Sequence, residues 1–493
     1  MLTDTAHGAR RRGITAVMAS IMAISLAGCG GDGDESSGGG TAANTPPAFS
    51  SAATASVVEN ATGVAYQATA SDAQGNAITY TISGGSDASA FTITSGGALS
   101  FVTPPNYDLA TDANGDNVYS VILQASDGRL SSTLPVSITV TNDHEGIRVE
   151  RVATELDGAV AIAHGEFPSD ILVALGNGTI VNIDGSGRQS RYLNITSGQG
   201  NLSLIGMTWG KGLGTSTALY VLVKIDGAVW VGCRGCQSSM IWGKLADVSE
   251  GTALAIGTGP DGAAYFAIGD PSGTLAQNVA SGGRHGKIYR IRPDPDPYAG
   301  ASLPDDLFLK ELVGIGLRAP AGITTFLDRL VVSDRGESVF DEISLATALS
   351  ELNFGWPFFE GTQERRAGGA GLSWLQTPSL VVPIGTQKRQ SRGIVGGVAY
   401  GHGIAGIRNH YVFADKDGRI WSFPIAKFSG PGPLQGDVLE LRDEDFKPTS
   451  GTIDHPVSIT TNSDGALYIL DSDGELFGVT DANSSIVISP VGP

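Results

Sequence analysis

Two apolar runs of strand length joined by a tight turn recur six times between Ile171 and Val479, and this repeat restricts the fold more than any other feature. The units are Ile171 to Ile183 around Asn177-Gly178, Leu219 to Val231 around Asp226-Gly227, Ala263 to Ile291 across an insertion, Leu330 to Ile343, Tyr411 to Phe423 around Asp417-Gly418, and Leu467 to Val479 around Asp473-Gly474. Asn-Gly and Asp-Gly pairs supply the positive φ angles that two-residue hairpins require. Hairpins repeated at wide, uneven spacing predict a β-propeller of six blades, each burying its faces against its neighbours. The insertions, the 270s to Gly286 and Gly361 to Gly393, would lie on one face and shape a site. With 69 glycines in 493 residues, the chain reads as all-β with little helix.

A chain of this length exceeds one compact core, and its N-terminal part departs from the repeat. Arg10, Arg11 and Arg12 precede an apolar run, Ile14 to Leu26, that is too short to span a bilayer as a mature helix. It ends in Leu26-Ala27-Gly28-Cys29, which matches a bacterial lipobox. The expectation is a lipoprotein signal at 1–28, a lipidated Cys29, and a Gly/Ser/Asp-rich flexible tether over 29–47. Gly30 after the cysteine is similar to outer-membrane lipoproteins, so a lipid anchor in the bacterial cell envelope, at the outer membrane, is expected. The other reading is an ordinary secretory signal with an incidental cysteine. The formal charge of −19, from 31 Lys plus Arg against 50 Asp plus Glu, opposes a nucleic-acid partner and suits divalent cations.

From Ala48 to Asp143 alternating apolar segments at Ala77 to Ile82, Phe91 to Thr94, Ala98 to Phe101, Val118 to Ala125 and Leu134 to Val140 predict a Greek-key β-sandwich. Glu59-Asn60, Asp87, Pro105-Asn106-Tyr107-Asp108, Ala125-Ser126-Asp127-Gly128 and Asn142-Asp143 together resemble bacterial cadherin-like modules. The resemblance implies calcium held by Glu59, Asp108, Asp127 and Asp143, a hard ion taking oxygens from separate loops. Asp112 to Asp116 is a second acidic loop, which either binds calcium or closes a turn through its own side chains.

The segment 144–482 is read as the propeller, with a tail at 483–493. Within it Gly-Lys-Ile-Tyr-Arg-Ile at 286–291, Gly-Leu-Arg-Ala-Pro-Ala-Gly at 316–322, Asp341-Glu342-Ile343 and Asn353-Phe354-Gly355-Trp356-Pro357 stand in an order and at separations that resemble the soluble PQQ-dependent sugar dehydrogenases, the glucose/sorbosone dehydrogenase family. The resemblance implies an anionic tricarboxylate quinone, PQQ, and a calcium ion that polarises it. It further implies a base that takes the sugar hydroxyl proton, hydride transfer from C1, and an external electron acceptor. By motif, Arg318 matches an active-site arginine and Asp270 the acid that orients the catalytic histidine. Gly336, Asp341 and Glu342 match the calcium-loop region, where Glu337 stands in place of the proline that follows the glycine, and Lys416 matches a cofactor-binding lysine.

Departures accompany the match. The position of the family's catalytic histidine falls in Ser249-Glu250-Gly251-Thr252, which has none, leaving Glu250 as a substitute base or an exposed loop residue. Ala319 and Ala321 replace polar residues, and Ile453 and His455 stand where the family places cofactor-binding arginines. His285 and His402 fall off the family position. Cys233-Arg234-Gly235-Cys236, with no following histidine, reads as a small disulfide loop. Two functions stay open: a membrane-tethered PQQ-dependent aldose dehydrogenase, or a non-catalytic propeller that binds a glycan or protein at the cell envelope.

Overall fold

A computed structural model describes residues 43–195, 201–212, 216–237, 240–278, 283–293, 308–346, 351–373, 375–385, 387, 389–429, 433–435 and 438–483. The signal segment, Cys29, most of the tether and nearly all of the tail lie outside them. Among the described residues no helix is long and apolar enough to cross a membrane.

The first layer pair is the sandwich. One sheet runs Thr54–Val58, Ser131–Thr141, Val118–Ser126, Thr79–Gly84, with the first pair parallel and the others antiparallel. The facing sheet runs Val64–Gln67, Ala98–Phe101, Phe91–Ile93. Burial alternates residue by residue along Val118–Ser126, the period-two pattern of a strand with one face on a core. Tyr66, Tyr80, Leu99, Leu123 and Ile138 fill that core with an edge-on aromatic pair, Phe101 and Tyr119, whose centroids are 5.0 Å apart.

Each repeat hairpin of the sequence forms the second and third strands of a four-stranded antiparallel blade. Blade 1 comprises Ala159–His164, Ile171–Leu175, Thr179–Ile183 and Gln189–Asn194. Blade 2 comprises Leu202–Lys211, Thr217–Ile225, Ala228–Arg234 and Ile241–Asp247. Blade 3, Leu254–Thr258, Ala264–Ile268, Lys287–Pro293 and Phe308–Ile315, gains Leu352–Asn353 as a fifth, parallel strand. Blade 4 is Pro320–Phe326, Arg329–Asp334, Phe340–Ala346 and Leu380–Pro383, and blade 5 Ile394–Tyr400, His410–Asp415, Ile420–Pro424 and Glu440–Leu441. Blade 6, Pro456–Thr461, Leu467–Asp471 and Leu476–Asp481, is completed by Ile147–Ala153 from the start of the domain. That pairing, Ile147 opposite Asp481, closes the ring and leaves no blade with a missing strand.

Second strands such as Ala264–Ile268 and Leu467–Asp471 are buried along their whole length, because both faces meet a neighbouring blade. Tyr220, Leu222 and Val231 of blade 2 pack on Phe266, Ile268 and Ile291 of blade 3, and corresponding apolar clusters fill the other inter-blade spaces. The first strands stand side by side around a central channel. Gly322 and Gly396 face each other there: a Cβ on Gly322 would lie 2.9 Å from the Gly396 Cα, so only glycine lets these two strands approach.

Candidate functional site

One mouth of the channel is built by a device that blades 4, 5 and 6 share. An aspartate at the end of the second strand accepts the backbone N–H groups that lead into the first strand. Asp334 takes Arg318 N at 2.8 Å and Ala319 N at 2.6 Å, Asp415 takes Arg392 N at 3.2 Å, and Asp471 takes Asp454 N at 2.9 Å and His455 N at 2.8 Å. All three aspartates are buried; burial pushes Asp334 up to about 6 against these backbone donors. The residue after each aspartate, Arg335, Lys416 and Ser472, thereby reaches the wall of a cavity of about 680 Å³ that follows the channel. His455 lines the same mouth, and His164 and Trp209, at the far ends of their strands, line the other end.

Arg335 and Lys416 run side by side past Gly393. A Cβ at this glycine, whose φ is +112°, would lie 3.4 Å from Arg335 Cδ and 3.6 Å from Lys416 Cδ. Among the described residues neither cation lies within ion-pair distance of a carboxylate, although Asp334 and Asp341 act on Arg335 from farther away, and Arg335 Nε is buried without an acceptor. Burial lowers the pKa of both, and Arg335 lowers that of Lys416 further. Two adjacent cations, Arg335 half-buried and Lys416 exposed to the channel, suit an anionic ligand. Arg318 sits behind them: its Nη1 donates to the carbonyls of Arg335 at 3.3 Å and Gly336 at 2.6 Å, its guanidinium lies 5.5 Å from the Trp356 ring centroid, and its Nε is also without an acceptor. Trp356 in turn donates to the Asp270 carbonyl at 2.8 Å.

The other motif residues on this face are occupied differently. Asp270 takes Ser272 Oγ at 2.5 Å, Leu275 N at 2.6 Å and Ala276 N at 2.9 Å, so its carboxylate organises its own loop. Burial alone would raise its pKa, but these donors hold it below the ordinary value. Gly269 N donates to Ala253 O, which brings the 249–252 turn alongside, with Glu250 exposed and open space around Gly251. Gly336 has no room for a side chain, since a Cβ would overlap the Phe340 carbonyl. Glu337 is exposed and 3.6 Å from Arg365. His455 is exposed and 2.9 Å from Asp454 Oδ1. His285 accepts Lys287 Nζ on its carbonyl, and His402 packs edge-on to Tyr400 after the blade 5 first strand, away from this mouth.

The expectation of a calcium ion held by Asp341 and Glu342 needs correction. They are consecutive on Phe340–Ala346, so their side chains leave opposite faces of the blade. Asp341 accepts Gly336 N, Ser391 Oγ and Ile394 N, Glu342 accepts Gly361 N, and burial pushes both carboxyls up. The loop carbonyls of Arg335 and Gly336 already accept Arg318. These residues do not fit a divalent cation.

Sandwich and propeller meet at a second charged site. Arg442, which follows the blade 5 outer strand, is buried and contacts Asp108 at 2.5 Å, Glu145 at 2.6 Å, Glu440 at 2.7 Å and Asp445 at 3.0 Å. Carboxylate oxygens of Glu59, Asp108 and Glu145 lie within 4.8 Å of one another, and Asp108 Oδ1 and Asp445 Oδ1 are buried without hydrogen-bond donors. Burial, with Asp445 and Glu59 adding to it, pushes Asp108 up to about 9 in spite of Arg442. This is an oxygen-rich, charge-excess cluster that fits calcium. Asp143 contributes its backbone N–H to Glu59 at 3.1 Å while its carboxylate accepts Glu145 N. Asp127 does not belong with them. It closes the hairpin at the far end of the nine-residue strand Val118–Ser126, roughly 27 Å from the Asp143 end. Asp112 to Asp116 closes a turn, Asp112 accepting Asn114, Asp116 and Asn117 N–H groups.

Arg335, Glu145, Arg442 and Asp445 were outside the sequence expectation. A signal for Arg335 existed: Ser333-Asp334-Arg335 and Ala414-Asp415-Lys416 are the same strand-ending triplet in neighbouring blades. Cys233 and Cys236 form a disulfide at the end of the third strand of blade 2.

No protein-family model and no curated protein matches the sequence. Solved structures similar to this chain include the soluble aldose sugar dehydrogenase of Escherichia coli in its apo form, at 18% identity and a TM-score of 0.48, covering 68% of this chain and 99% of that one. A glucose dehydrogenase, at 17% identity and a TM-score of 0.47, covers 67% of this chain and 98% of its own. A Trichoderma reesei carbohydrate-active enzyme of family AA12, in a calcium structure, matches at 14% identity and a TM-score of 0.47 over 68% of this chain and 96% of its own. Similarity at this level says nothing of chemistry, and the propeller rests on the sheet pairing itself.

Proposed function

We propose that the chain is a sugar-dehydrogenase-like propeller whose channel mouth holds an anionic quinone of the PQQ class. The observation that carries this reading is the adjacent pair Arg335, half-buried, and Lys416, exposed at the channel mouth, neither with an ion-pair partner among the described residues, in the region where the sequence motifs resemble that family. Arg335 and Lys416 would supply counter-charge to carboxylates, and Arg318 would buttress the Arg335–Gly336 backbone through its carbonyl contacts. When bound, such a group supplies the hydride-accepting chemistry for a sugar C1, with an external acceptor taking the electrons.

The second reading, a non-catalytic propeller that binds a glycan or protein, is favoured by one observation: Glu250 is exposed and Asp270 is committed to its own loop, so the 249–252 turn offers no oriented base. An aldose panel assayed with added PQQ and an artificial electron acceptor separates the two. Quinone binding with turnover selects the dehydrogenase, and absence of both selects a binding propeller.

Calcium is assigned in this reading to the sandwich–propeller junction, with Glu59, Asp108 and Glu145 as ligands, rather than to the blade 4 loop. A lipid on Cys29 would hold both domains at the outer membrane of a bacterial envelope. Cys29→Ser should release the protein from the membrane fraction, and unchanged fractionation would show that no lipid on Cys29 anchors it.

A further inference from the structure

We infer that Asp454, His455 and Asp471, where blade 6 meets the channel mouth, form a site for a borderline divalent metal ion such as zinc, distinct from the junction cluster. One ligand atom from each residue, a carboxylate oxygen, an imidazole nitrogen and a second carboxylate oxygen, lies within 4.8 Å of the others. The backbone builds this arrangement. Asp471 ends the second strand, and its Oδ2 binds the N–H groups of Asp454 and His455, which fixes both residues over the same carboxylate.

A second feature points to a ligand. Asp471 is fully buried, and its Oδ1 has no hydrogen-bond donor. In blade 5 the equivalent aspartate, Asp415, satisfies its oxygens with Arg392 N, Asp417 N, Arg419 N and the Arg419 guanidinium. Blade 6 carries Ser472 and Glu475 where blade 5 has Lys416 and Arg419, so no cation of its own hairpin reaches Asp471. A buried carboxylate oxygen without a donor is costly, and a metal ion removes that cost.

The donor set selects the ion. An imidazole nitrogen disfavours calcium and magnesium, whereas one nitrogen with two carboxylate oxygens suits zinc, with manganese as a weaker binder. Three protein donors leave coordination positions open toward the channel that His455 lines, as catalytic rather than structural zinc sites do. Zinc binding here is independent of whether a quinone is held at Arg335 and Lys416.

The test is a zinc titration of the purified full chain against a chromophoric chelator, with calcium saturating so that the junction cluster is masked. The expected result is one zinc equivalent, with affinity reduced at least about tenfold by His455→Gln and by Asp471→Asn and unchanged by Asp127→Asn. His455 is exposed, so His455→Gln should fold even if Asp471→Asn, which loses backbone acceptors, does not. Absence of zinc binding in the parent, or an affinity that His455→Gln leaves unchanged, would overturn the assignment.

Discussion

Arg442 of the propeller reaches Asp108 of the sandwich across 2.5 Å, and both side chains are almost wholly removed from solvent. The two domains therefore share a buried contact that neither can make alone. Arg389 extends the joint by donating to Leu439 O at 2.7 Å and Asp108 O at 3.0 Å. Removing Arg442 leaves the carboxylates of Glu145, Glu440 and Asp445 without their counter-charge. Arg442→Met should destabilise the protein by about 3–5 kcal/mol, read as a lower denaturant midpoint. A loss below about 1 kcal/mol would mean that the junction is solvated in solution.

The same junction predicts a pH dependence. Asp108 is raised from its ordinary 3.8 to about 9, chiefly by burial. The folded state then binds a proton that the unfolded state has released between these values. Its contribution is fully present below pH 3.8 and is lost as pH rises through about 9. In the absence of calcium, stability should decline across this window, and Asp108→Asn should flatten the decline. A parent profile rising from pH 5 to pH 8 in calcium-free buffer, with no difference in Asp108→Asn, would contradict the assignment.

Calcium competes for the deprotonated carboxylates of the junction, so its effect should grow with pH. At pH 8, millimolar calcium should raise the thermal midpoint of the full chain, and Glu59→Gln should reduce that shift while Asp127→Asn leaves it intact. Asp127 serves as the control because it lies in a turn at the opposite end of its hairpin. Equal losses in the two variants would place calcium elsewhere.

Gly251→His tests the missing base. Open space surrounds Gly251, although its φ of +77° strains any side chain placed there. Asp270, the acid expected to orient the new ring, already accepts Ser272, Leu275 and Ala276. The substitution should therefore create no aldose oxidation above the parent with PQQ and an artificial acceptor. Measurable turnover in the variant alone would identify a chain that lacked only its base.

Much of this architecture was legible because it is local. Asp226-Gly227 and Asp473-Gly474 close hairpins through backbone conformations that the sequence states outright, and period-two burial along Val118–Ser126 follows from its residues. The sites were less legible because they depend on register and on contacts distant in sequence. Asp341 and Glu342 are adjacent in the chain, but a strand turns them to opposite faces. Asp108 and Arg442 are 334 residues apart, and no local pattern joins them. Arg335 was masked by the motif around it, since its role emerges only where blades 4 and 5 bring it beside Lys416 over Gly393.

Equilibrium binding of PQQ to the full chain, compared between the parent and Arg335→Gln/Lys416→Gln, decides whether these two cations hold a quinone. Each charge-assisted contact to a carboxylate contributes about 1.5–3 kcal/mol, so the double variant should bind at least about a hundredfold more weakly while its thermal midpoint stays near that of the parent. Parent binding that the double variant retains undiminished, or no parent binding at micromolar PQQ, would contradict a quinone at this mouth.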